Sequence, residues 1–127
     1  MSWVSEIASI EGRLNSNWST TNIAYDNVDF DPPNNTAWVR LTILNGETLY
    51  RTIEAKKRHT GVIVIQVFCP KNQGSNTGKG YADTLAGIFE DSSFDDVVCR
   101  TASIENLGYH QDWHQLNVSI PYWRDET

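Results

Sequence analysis

The run Gly61-Val-Ile-Val-Ile-Gln-Val-Phe68 limits what this chain can fold into more than any other stretch. Alternate strand residues point to opposite faces, so Val62, Val64, Gln66 and Phe68 share one side and Ile63, Ile65 and Val67 the other. Both sets are nearly all apolar and mostly β-branched, which predicts a central strand covered by protein on both sides. Pro70 cannot donate to a sheet ladder and closes the strand. Beyond it, Gly74, Gly78 and Gly80 predict a flexible connection, and Tyr81, Ala82, Leu85, Ile88 and Phe89 recur at helical spacing.

A glycine-rich loop between a strand and a helix is the setting of a phosphate-binding loop. The residues do not complete the motif. One residue too few separates Gly74 from Gly78 for the Walker pattern, and Gly80 stands where a Ser or Thr must hold magnesium. The stretch Gly74–Gly80 is therefore read as a mobile connection, and the sequence leaves open whether it orders on assembly.

Upstream, Trp3, Ile7, Ile10 and Leu14 follow a four-three-four spacing that predicts a helix capped by Ser2 and ending near Asn15 to Asn17. Glu6, Glu11 and Arg13 are assigned to its solvent side. Ile23, Tyr25, Val28 and Phe30 predict a short irregular strand, and Asp31-Pro-Pro-Asn-Asn an exposed turn. Trp38 to Leu44 reads as a strand with Val39, Leu41 and Ile43 on one face. Asn45-Gly46 then signals a hairpin turn into Leu49–Ile53, and Glu54–Thr60 reads as a polar connection.

After the second helix, Val97, Val98, Cys99 and Ile104 predict a bulged strand. Asn106-Leu-Gly and His110–Asp112 are assigned to a turn. Leu116, Val118, Ile120 and Tyr122 alternate cleanly with polar residues and Pro121, which predicts a strand whose end lies at a sheet edge. Arg124-Asp-Glu-Thr is assigned to a frayed tail. The order predicts an α+β fold: a mixed, mainly antiparallel sheet with an N-terminal helix and a second helix packed on it. The 127 residues make one domain by the usual size prior.

Composition narrows the function. The net charge of −6 argues against a fold-wide nucleic-acid-binding surface, yet suits a surface that nucleic acid slides past. The N-terminus has no basic region followed by an apolar run, and no stretch approaches the roughly 20 apolar residues that span a bilayer. The expectation is a protein made inside the cell, without a membrane partner, whose Cys69 and Cys99 are free thiols. Three glycosylation-like triplets carry no weight without a secretion signal.

The chemistry-bearing residues do not assemble into a recognisable active site. His110 and His114 would lie about 13 Å apart on one strand face, too far to share an ion, and are read as solvated loop histidines. No serine sits in a Gly-x-Ser-x-Gly elbow, and neither cysteine has a basic partner in sequence. Catalytic, cofactor and metal residues are all expected to be absent. Lys56-Lys-Arg-His59 is the basic cluster, with a solvated loop as its plain reading. Of five tryptophans, Trp123 is the least expected in the core.

Taken in order, Phe30-Asp-Pro-Pro33, Trp38–Ile43, Arg58–Pro70, the glycine stretch and Ala82–Phe89 resemble the phage tail-terminator-like proteins. The N-terminal helix and last alternating strand also fall where that family has them. The resemblance implies a non-enzymatic protein of the virion. It implies a homo-oligomeric ring, typically a hexamer, that caps the head-proximal end of the tail tube and stops tube polymerisation. Its partners would be the tail-tube protein and a head-completion or connector protein, with DNA passing through the lumen. A closed ring needs two different patches on each subunit. From charge alone, Asp29, Asp31, Asp95 and Asp96 on one side and Lys56, Lys57 and Arg58 on the other are candidate patches, with Trp123 a candidate contact. The alternatives are a tail-tube or tail-completion protein, a small binding module using exposed tryptophans, and a small hydrolase.

Overall fold

The computed structural model describes residues 3–26, 31, 36–50, 57–70, 75–110 and 113–125. The central strand is where the sequence places it, but longer. β3 spans Lys57–Pro70 and lies between β2 (Trp38–Tyr50) and β7 (Trp113–Asp125), antiparallel to both. The polar stretch before Gly61 is thus already strand from Lys57, because Thr48, Leu49 and Tyr50 supply it with a ladder.

That ladder also corrects the reading of Asn45-Gly46. The chain does not turn there. β2 carries an irregularity between Asn45 and Thr48 and continues against His59, Arg58 and Lys57. One extra residue in one strand of an antiparallel pair makes a bulge, which bends the strand without ending it. The predicted partner strand Leu49–Ile53 is instead the end of β2, and residues 51–53 lie outside the described part.

β1 (Asn22–Tyr25) joins the other side of β2 in parallel, with Ile23 opposite Val39 and Tyr25 opposite Leu41. Val28 and Phe30, like the Pro32–Asn35 part of the predicted turn, lie outside the described residues. At the far side of β7 the single bulged strand of the prediction becomes three. β4 (Ser93–Phe94) and β5 (Val97–Cys99) form a hairpin, and β6 (Ser103–His110) pairs with β7. The Asn106-Leu-Gly segment is a bulge inside β6, with Gly108 at a φ of 79°, and not a turn. The hairpin turn of β4–β5 is Asp95-Asp96, at φ 46° and 71°, the positive values that a tight two-residue turn demands.

Both helices lie on one face of the sheet. α1 (Trp3–Asn17) buries Glu6, Ile10 and Leu14 at four-residue steps, followed by Trp18. α2 (Ser75–Phe89) buries Ala82, Leu85, Ala86 and Phe89. Beneath them Val39, Leu41, Ile63, Ile65, Val67, Leu116, Val118 and Ile120 are inaccessible or nearly so. Full burial of side chains of this size is worth about 1.5–3 kcal/mol each, so this layer accounts for most of the fold's drive. α1 is fastened to α2 by Arg13, whose Nε donates to the Ile88 carbonyl at 2.8 Å and whose guanidinium lies 4.8 Å from the centre of the Phe94 ring.

Two expectations fail here for physical reasons. Helix α2 starts at Ser75, so Gly78 and Gly80 are helical residues and not a mobile connection. At Gly78 an added Cβ would stand 2.8 Å from Leu116 Cδ1 and 3.3 Å from Cys69 Sγ; the glycine lets the helix lie close on β3 and β7. Among the described residues the central strand is also covered by helices on one side only. Val62, Val64, Gln66 and Phe68 are half-buried, and among the described residues it is their cross-strand neighbours that shelter them. Pleated-surface packing of that kind is enough to favour β-branched residues.

Candidate interaction surfaces

The helix side of the sheet ends in a buried ionic cluster. Tyr122 and Arg124 continue the inward alternation of Leu116, Val118 and Ile120, so the C-terminal stretch is a strand up to Asp125 and not a frayed tail. Arg124 Nε donates to Glu6 Oε1 at 2.9 Å, and Tyr122 Oη donates to Glu6 Oε2 at 2.9 Å. Glu6 is 1% exposed and Arg124 3%, which corrects the assignment of Glu6 to solvent. Gly61, the cross-strand partner of Tyr122, makes the cluster possible: a Cβ there would fall 2.6 Å from Tyr122 Oη. Burial, reinforced by the Glu6 charge, pushes the Tyr122 hydroxyl well above its ordinary range.

A second polar site lies under the start of α2. Cys69 and His114 are cross-strand partners, so the fold gives this cysteine the basic neighbour that its sequence context lacks. His114 is 2% exposed and is not a solvated loop residue. Asn106 Oδ1 accepts from the Gly108 N–H at 2.8 Å and faces His114 Nε2 at 3.0 Å. Since that oxygen only accepts, Nε2 is the donor in this contact. Burial pushes the Cys69 thiol up, away from the reactive thiolate, and Cys69 is fully inaccessible. The arrangement is a packed core contact. Cys99 is likewise buried and pushed up to about 11, chiefly by desolvation. The side chain of His110 lies outside the described residues. Among the described residues no three His, Cys, Asp or Glu side chains group as metal ligands would.

The face of the sheet away from the helices carries a second aromatic group, in which Trp38 is itself buried. Trp38 stacks on Phe68 with ring centres 4.1 Å apart, and Trp113 meets Trp38 edge-on at 6.2 Å. Arg40 extends over Trp38 at 5.6 Å. Farther along, Arg58 lies 3.8 Å from the centre of the Trp123 ring and makes a two-pronged contact with Asp125, at 2.8 and 3.2 Å. Hydrogen bonding to Asp125 raises the Arg58 pKa further.

Of the candidate patch residues, the fold thus brings Arg58 and Trp123 together and satisfies Arg58 within the chain. Lys57 and Asp31 are exposed, Asp95 and Asp96 project from the β4–β5 turn, and Asp29 and Lys56 lie outside the described residues. Sequence reasoning did not single out Glu6 and Arg124. The signals were present: Glu6 is one four-residue step before Ile10, and Arg124 is in phase with Tyr122. A shallow cleft between α1 and the β4–β5 hairpin, lined by Ser9, Gly12, Arg13, Phe94 and Asp95, is shaped mainly by the Arg13–Phe94 contact.

No curated protein matches the chain. A solved structure matches with a TM-score of 0.75 at 19% identity, over 100% of this chain and 97% of that one, a likeness of fold. A family model described as phage tail terminator protein matches residues 7–122.

Proposed function

The chain belongs to the phage tail terminator family, and we propose that it assembles as a ring of six copies on the head-proximal end of the tail tube. Membership makes it a bacteriophage tail structural protein and part of the virion, in a family that is not an enzyme class. No described helix is long and apolar enough to cross a membrane.

In the proposed role the ring ends tube polymerisation and offers its outer rim to a head-completion or connector protein. The observation that carries the reading is the family match across residues 7–122. The charge of −6 supports it, since an acidic lumen lets DNA pass without retaining it. The charged candidates enter as complementary patches: Asp29, Asp31, Asp95 and Asp96 on one subunit against Lys56 and Lys57 on the next, with Arg58 supporting Trp123 beside them. Assembly unchanged by Lys56→Glu with Lys57→Glu would remove the basic patch from the interface.

Size-exclusion chromatography with light scattering tests the ring directly. A discrete species of six times the chain mass is expected, either free or after addition of tail tubes. A chain that stays monomeric at every concentration, and leaves tube ends bare, would contradict the reading.

A further inference from the structure

No described strand pairs the outer side of β1 at one margin of the sheet, or of β6 and the two-residue β4 at the other, where β6 and the β4–β5 hairpin lie along different stretches of β7. Natural edge strands usually guard their open backbone with charge or proline. β6 carries one charge, Glu105, and beside it displays Ile104, Leu107 and Tyr109, at 43, 44 and 58% exposure.

The register connects the two margins. One apolar row crosses five strands, from Ile104 through Val118, Ile65 and Leu41 to Tyr25. The adjacent row, on the opposite face, runs from Glu105 through Asn117, Gln66 and Arg40 to Ala24. The first row begins and ends in apolar residues, exposed Ile104 and half-buried Tyr25; the second begins in exposed Glu105 and ends in the small Ala24, with half-buried Arg40 one strand further in. Strand polarity agrees. β1 runs parallel to β2, and three antiparallel steps lead from β2 to β6, so β6 runs opposite to β1. Two copies in the same orientation would meet as an antiparallel pair.

We propose that the β6 margin of one copy docks on the β1 margin of the next, head to tail, so that the rows continue from subunit to subunit. Ile104 packs against the neighbour's Tyr25, and Glu105 faces the neighbour's Arg40. Opposite margins meeting in this way form a heterologous interface, the kind that closes into a ring. The same docking sets the Asp95-Asp96 turn, next to the β6 margin, towards the neighbour's β2–β3 end that carries Lys57. The inference rests on the ring reading above and names its contact surface.

Sedimentation velocity on the wild type and on Ile104→Asp, Glu105→Arg, Arg40→Glu and the double variant Glu105→Arg with Arg40→Glu tests it. Melting curves check that each variant is folded, and the exposed Glu105→Arg is informative even if Ile104→Asp is not. Ile104→Asp and both single reversals should weaken self-association about tenfold or more, and the double reversal should restore most of it. A wild type that assembles while every variant assembles equally well would overturn the docking surface and leave the ring intact. A double variant as weak as the singles would overturn the Glu105–Arg40 pairing. Variants that lose only tail-tube binding would show that the occupant is the tube protein and not a second copy. A wild type that never assembles, alone or on tubes, would overturn the ring and the docking with it.

Discussion

Glu6 and Arg124, 118 positions apart in the chain, form a buried ion pair at 2.9 Å that ties the first turn of the first helix to the last strand. Tyr122 closes the group from the same strand. Buried pairs are costly to break, because the surviving charge remains in a poorly solvated site. Glu6→Ala is expected to lower unfolding free energy by about 3 kcal/mol, and Glu6→Gln by less, since its oxygen still accepts. Replacing Glu6 and Arg124 together with leucine should recover part of the loss. Chemical denaturation of the three variants provides the check; a negligible change in Glu6→Ala would mean the pair does not fasten the helix.

The helical glycines separate into two kinds. Gly12, Gly80 and Gly87 have open space where a Cβ would stand, so alanine should stabilise each by about 0.5–1 kcal/mol through helix propensity. Gly78→Ala gains the same propensity but drives its methyl into Leu116 and towards Cys69, both fully packed. Overpacking of that sort costs about 1–3 kcal/mol, so a net loss is expected. Melting temperatures that rise for Gly80→Ala and fall for Gly78→Ala would confirm the close seating of α2.

Alkaline pH should weaken the fold. Cys99 is pushed from 9.0 up to about 11 by burial, and a folded-state pKa raised above the unfolded one stabilises fully below the unfolded value. That contribution is lost as pH rises from about 9 to about 11, and at about 1.4 kcal/mol per unit it amounts to at most about 3 kcal/mol, less whatever solvent screening removes. Cys99→Ala should show a shallower fall in stability across that window, measured by denaturation at a series of pH values. Equal slopes would show that the thiol is not responsible.

The Arg58–Asp125 pair is of a different kind, with side chains 30 and 22% exposed. Solvent screening leaves such contacts contributing little to stability. Arg58→Ala should therefore leave the melting temperature nearly unchanged, while Trp123 fluorescence shifts as the guanidinium leaves its ring. An unchanged spectrum would contradict the stacking at 3.8 Å.

The parts that were legible in the sequence are those set by side-chain alternation. The β-branched run of β3 and the Leu116–Tyr122 pattern carry period two plainly, and the Ala82–Phe89 stripe carries the helical period. Local turn chemistry was a poorer guide. Asn45-Gly46 and Asn106-Leu-Gly have turn residues, but long neighbouring strands hold them in the ladder as bulges. Gly78 and Gly80 read as flexible because the sequence does not reveal which glycine has another strand pressed against it. Glu6 was assigned to solvent by its charge and Arg124 to a frayed tail by its place at the end of the chain, although their phase placed both on the buried side. The sheet margins depend on pairings between distant segments, so neither the Ile104–Tyr25 row nor the side of β3 away from the helices was visible from local pattern.

Tail tubes assembled from the tube protein, with and without this chain, test the central claim most directly. Electron microscopy of tubes growing in its presence should show elongation halted, with a single ring of added density at one end. Continued growth, or density spread along the tube wall, would contradict a terminator.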